Sequence, residues 1–185
     1  MSNLRGASII AAVKFIREKY QDEGLARVLD SLEAQDRQIA GGSLNPMSFY
    51  PARVFINFSV AADKIFGAGD YEICRQIGYF EAGDTFTGLY KIFLDMANPH
   101  FVISRAGLAW KMVHDAGELK IEQAGDKYVK GTITGFPDYH KSFCVDLAGY
   151  FTKVLELCGA KNVSIKETKC RCQGDDCCEY EVKWE

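Results

Sequence analysis

A chain of 185 residues with 48% apolar and 25% charged content has the make-up of an ordinary soluble domain, long enough to bury a core of its own. Its formal charge of −3 gives no electrostatic attraction to nucleic acid or to an anionic membrane surface, which excludes both as expected partners. No stretch approaches the ~18 uninterrupted apolar residues of a membrane span, and seven cysteines without a signal peptide argue against a secreted disulfide framework, so a cytoplasmic protein is expected.

The first two thirds read as helices. Ile9, Ile10, Val13 and Ile16 mark an apolar face over residues 6–20, and Leu25, Val28, Leu29 and Leu32 mark a second helix. Gly41-Gly42 and Pro46 form a break. A helix is predicted from about Pro51 to Gly67, another from an Asp70 cap through Asp95, and a third from Asn98-Pro99 to about Asp115. The period then changes to two. Leu119 and Ile121, then Val129 and Ile133, alternate with polar residues about a Gly125-Asp126 turn. One long helix follows from about Asp138 to Cys158, its stripe being Phe143, Cys144, Leu147, Phe151, Val154, Leu155 and Cys158. Two more alternating runs close the chain: Val163 and Ile165, then Cys178, Tyr180, Val182 and Trp184. The order predicts one α+β domain, with a helical part over 1–116 and a four-stranded antiparallel sheet with one long helix over 117–185.

Chemistry concentrates at the end. Val163 and Ile165 share a face on which Glu167 comes next, and an ionised carboxylate on an apolar face is costly unless paired or bound to a metal. Cys170 follows, and a loop centred on Gly174 would set it opposite Cys178, while Cys144 joins from the helix stripe. Cys144, Glu167, Cys170 and Cys178 would close an S₃O tetrahedron, a structural zinc site with no position free for catalysis. Cys74 and Cys158 read as plain buried thiols. Cys172 and Cys177 stay open as spare thiols, a redox pair across the hairpin, or alternative ligands.

The run Cys144…Glu167-x-x-Cys170…Gly174…Cys178-x-Tyr180-x-Val182-x-Trp184 resembles the signature of 4-vinyl-reductase domains. These belong to a ligand-binding superfamily with Golgi-transport tethering subunits and H-NOX sensors, and the resemblance implies the same four zinc ligands. The N-terminal part, including Gly78-Tyr79-Phe80 and Asn98-Pro99-His100-Phe101, is similar to a paralogous bacterial family abundant in myxobacteria. Together they imply a small-molecule-binding, usually dimeric, regulatory domain. No Gly-x-Gly-x-x-Gly loop supports nicotinamide binding. The chain ends at Glu185 without a DNA-binding or ATPase region, so any signal is expected to pass to a separate, unknown protein partner.

Four readings follow. A sensor would bind a hydrophobic or aromatic small molecule between sheet and helices, against Phe86, Tyr90, Phe93, Phe101 and Trp110, although plain core packing gives the same spacing. A haem protein would need a histidine on the helix over 89–95, which has none, and His100, His114 and His140 lie near helix ends. A homodimeric scaffold could use the stripe Ile9, Ile10, Val13 and Ile16. Catalysis has candidates in Asp115, Glu118, Asp138 and His140, but they fall in no recognisable arrangement.

Overall fold

The computed structural model describes residues 1–85 and 98–185. Strand β1 (Asn3–Arg5) leads into α1 (Gly6–Asp30), followed by α2 (Ala34–Ala40), β2 (Phe49–Pro51), α3 (Ala52–Phe66) and α4 (Glu72–Thr85). Later come α5 (Pro99–Ile103), α6 (Ala106–Val113), β3 (Glu118–Gly125), β4 (Tyr128–Thr134), α7 (Lys141–Leu157), β5 (Ser164–Lys169) and β6 (Cys178–Lys183). The fold is α+β: the helices, mostly N-terminal, pack on an antiparallel sheet of order β3-β4-β6-β5.

Strand alternation decides which sheet face the helices cover. The register pairs Val129 with Val182, Ile133 with Cys178 and Ile165 with Val182, so apolar side chains stack on one face. Charged residues such as Lys130, Glu181 and Lys166 share the other. The apolar face joins Phe55 and Phe58 of α3, Ile9 and Ile16 of α1, and Phe143 and Leu147 of α7 in one core cluster. The stripe proposed as a dimer surface is therefore core, with Ile9 and Ile16 fully buried. An amphipathic helix at the wall of a domain turns its apolar stripe inward first.

Helices α4 and α7 cross with their backbones in contact. A Cβ at Gly78 would lie 2.0 Å from the Asp146 carbonyl oxygen, and one at Gly149 would lie 2.0 Å from that of Arg75. No larger residue fits at either position without moving a helix.

Boundaries differ from expectation in three places. The helices over 6–20 and 25–32 run together as α1, with a break at Gln21, whose φ is 63°. The predicted helix over 98–115 is two: Asn98 caps α5 by accepting from the Phe101 N–H at 2.9 Å, but the Ser104 hydroxyl takes the Phe101 carbonyl at 2.8 Å and Arg105 leaves the helical basin. Helix α7 begins at Lys141, not near Asp138. His140 is its cap, accepting from the Ser142 N–H at 3.2 Å, while the Asp138 carboxylate takes the Ser2 hydroxyl at 2.6 Å. The helix predicted through Asp95 is seen as α4 to Thr85, and its remainder lies outside the described residues.

Candidate functional site

Three elements deliver the end cluster. Cys144 projects from the buried face of α7, Glu167 from β5, Cys170 from the end of β5 and Cys178 from the start of β6. Simple alternation would turn Cys170 away from Glu167. A register shift between Glu167 and Lys169 inserts a β-bulge that resets the parity, so both residues reach the same side. A 3₁₀ turn over Arg171–Gln173 then ends at Gly174, whose φ of 97° suits a residue without a Cβ. The turn is tied by the Asp175 carboxylate, which accepts the Cys170 N–H at 2.7 Å.

One ligand-type atom from each of the four side chains lies within 4.8 Å of the others, an arrangement that could hold a metal ion. The Cys144 sulfur stands 3.8 Å from that of Cys178 and 4.0 Å from that of Cys170. Glu167 Oε2 accepts from the Lys141 ammonium, whereas Glu167 Oε1 is buried and has no hydrogen-bond partner. As bare side chains the thiols divide. The hydrogen bond from Cys144 lowers Cys178 to about 7, and the same contact, with burial, drives Cys144 well above the ordinary thiol range. Burial pushes Cys170 up to about 11. A thiolate is thus favoured at one position, and a divalent cation would deprotonate the rest.

Further along α7 lies a cavity of about 310 Å³ between the helices and the apolar sheet face. Its wall is mostly apolar, with Phe55, Trp110, Phe143, Leu147, Val129 and Tyr180 among the lining side chains. Two carboxyl groups interrupt it, Glu81 from α4 and Asp146 from α7. The Ser8 hydroxyl donates to Glu81 Oε1 at 2.6 Å. Asp146 Oδ1 is buried without a hydrogen-bond partner. Burial raises Glu81 to about 7 and, with the neighbouring Glu81 charge, raises Asp146 well above the carboxylate range. His114 also lines the cavity. Its ring stacks on Trp110 at 3.9 Å, its Nδ1 lies 3.3 Å from the Trp110 carbonyl, and burial lowers it to about 4, which leaves it neutral.

Of the five predicted pocket residues, Trp110 lines the cavity from a buried position and Phe101 from a half-exposed one. Phe86, Tyr90 and Phe93, like the whole 89–95 stretch, lie outside the described residues. The proposed acid-base residues are spread apart and structurally engaged. Asp115 accepts from the Asn3 backbone and side chain at 2.7 and 2.6 Å, Glu118 faces Lys111 and Lys120, Asp138 holds Ser2, and His140 caps α7. Sequence reasoning missed Glu81 and Asp146. Asp146 carried a signal: it sits three residues after Phe143 and four before Tyr150, on an otherwise apolar helical face. Cys74 and Cys158 are buried, as plain core thiols would be. Cys172 is exposed and Cys177 buried.

Residues 130–184 match the 4-vinyl-reductase domain family. No curated protein sequence matches the chain significantly. Among solved structures, the chain is similar to the Fe(II) unliganded H-NOX protein from K. algicida, with a TM-score of 0.74 at 8% identity over 98% of this chain and 97% of that one. It is likewise similar to an H-NOX protein from S. oneidensis in the Fe(II)NO ligation state, with a TM-score of 0.75 at 9% identity over 98% of this chain and 99% of that one. At such identities the likeness is one of fold. Match and fold together bear out the resemblance to a superfamily of 4-vinyl-reductase and H-NOX-like domains.

Proposed function

We propose that this protein is a small-molecule-binding regulatory domain whose guest occupies the cavity between the sheet and the helices. The observation that carries the reading is that largely apolar volume of about 310 Å³, at the lower end of the ~300–1,000 Å³ typical of ligand sites. A scaffold without a ligand would have closed it, because an empty apolar cavity forfeits packing. The test uses an uncharged aromatic probe, phenethyl alcohol, titrated into wild type and Ala109→Trp. Ala109 lies on the exposed side of α6 yet lines the cavity, so tryptophan there can plug it from outside. Saturable binding by wild type that the plug abolishes supports the reading. No binding, or binding unchanged by the plug, overturns it and favours the scaffold.

Zinc at Cys144, Glu167, Cys170 and Cys178 is the second part of the proposal. Tetrahedral thiolates ~2.3 Å from zinc stand about 3.8 Å apart, and the sulfur separations of 3.8 and 4.0 Å fit. The partnerless Glu167 Oε1 supplies the fourth donor. Four protein ligands leave no open position, so the ion would pin α7 to the last hairpin rather than activate a substrate. Elemental analysis finding under roughly half a zinc per chain, in protein never exposed to chelator, would overturn the assignment.

The fold raises haem as a second guest. The described residues do not fit it well: His114 is the one cavity histidine among them, and its ring is packed against Trp110, Phe136 and Phe143. Reconstitution with haemin that gives no Soret band would dispose of haem. A band lost in His114→Ala would establish it. The reading extends to a cytoplasmic homodimer that signals through a separate protein, and light scattering at the mass of a single chain would refute the dimer.

A further inference from the structure

The cavity wall carries two carboxyl groups that the small-molecule reading leaves without a task. Glu81 stands one helical turn beyond Gly78, and Asp146 meets Gly78 from α7, where the two backbones touch. The side chains come from different helices, both line the cavity, and they are only 8% and 3% exposed. Ser8 serves one oxygen of Glu81, while Asp146 Oδ1 has no hydrogen-bond partner.

The protein's cations near this region are engaged elsewhere. Arg105 lines the cavity but lies 3.6 Å over the Phe101 ring and donates to the Phe101 carbonyl. Lys153 lies over the Tyr79 ring at 4.8 Å, and Lys14 pairs with Asp84. Buried carboxyl oxygens without partners are destabilising, and replacing them with apolar groups of similar shape relieves that cost. Their presence on the wall of a ligand-sized volume therefore calls for a guest that completes them. Neighbouring carboxyls repel an anionic guest, and a hydrocarbon would leave their oxygens unmet. An alkylammonium offers three N–H donors and a compensating charge.

We propose that Glu81 and Asp146 together anchor the ammonium group of a hydrophobic primary amine, whose apolar body lies against Trp110, Phe143 and Leu147. The proposal rests on the small-molecule reading of the same cavity and names its ligand class.

Calorimetric titration of the full chain with phenethylamine, phenethyl alcohol and hydrocinnamate separates the two claims, because the probes share a body and differ in head group. The amine is expected to bind roughly tenfold tighter than the alcohol or better, a difference of about 1.4 kcal/mol, and hydrocinnamate more weakly than both. Glu81→Gln and Asp146→Asn keep shape, and each should bring the amine-to-alcohol ratio towards one. That ratio is read within a single protein sample, so a general loss of fold cannot mimic it. Alcohol binding with no preference for the amine overturns the anchor and leaves the cavity reading standing, as does a preference unchanged in both variants. Failure of all three probes overturns both.

Discussion

Two places on α7 each hold a buried carboxyl oxygen without a partner, and they pose opposite demands. At the N-terminal end, Glu167 Oε1 faces three thiols gathered within 4.8 Å. In the middle, Asp146 Oδ1 belongs to the wall of an apolar volume of about 310 Å³. Soft donors at that spacing ask for one small cation, whereas a carboxyl pair beside open apolar space asks for a molecule with a head and a body. The same defect, an unmet acceptor, thus signals different chemistry according to what surrounds it.

The sharpest way to break this contrast is to remove a thiol. Cys144→Ser or Cys178→Ser should reduce bound zinc from about one per chain to well under half and destabilise α7 and the last hairpin together by on the order of 5 kcal/mol or more. Cys74→Ser is the control. That thiol is buried and bonded to the Ser59 carbonyl at 3.4 Å, away from the cluster, so zinc should stay. Elemental analysis with thermal unfolding checks both. Full zinc in the Cys178 variant would end the distinction between an ion site and a guest site.

The two places also differ in how far the sequence disclosed them. The cluster was legible because three of its donors lie within twelve residues of one hairpin, where alternation and a central glycine constrain geometry strongly. Even there the bulge at Glu167–Lys169, which turns Cys170 to the correct face, leaves no composition signal. The fold class was readable for a similar reason, since the change from helical period to strand period falls near residue 117. Glu81 and Asp146 were not paired because 64 positions separate them and nothing local joins them. Their encounter depends on two glycines whose value shows only when α4 and α7 touch. The division of α5 from α6 was hidden too, as it turns on one serine hydroxyl competing for a helical carbonyl.

That helix contact gives the next test. Gly149→Ala would set a methyl 2.0 Å from the Arg75 carbonyl oxygen, a backbone atom that cannot swing aside. Overpacking of this kind should cost roughly 3 kcal/mol in urea unfolding. The damage should fall on the cavity, weakening phenethyl alcohol binding, while zinc stoichiometry holds. A loss below about 1 kcal/mol would mean that the crossing is looser than described.

The smallest effect concerns Glu81, and its sign is specific. Burial raises this carboxyl from an ordinary value near 4.5 to about 7 in the folded protein. Between those values the native state keeps a proton that the unfolded chain has released, so wild-type stability should fall as pH rises from about 4.5 to 7. Glu81→Gln retains an acceptor for the Ser8 hydroxyl and removes the titration. Its stability relative to wild type should climb across that window, by roughly 1–3 kcal/mol at the upper end. His114, lowered to about 4, works in the opposite sense, since the unfolded chain takes up its proton first and stability rises with pH from about 4 to 6.5. It is present in both proteins and cancels in the difference. A difference curve that stays flat from pH 4 to 8 would show that Glu81 is solvated, and the cavity wall would then lack the unmet charge that sets it apart from the thiol cluster.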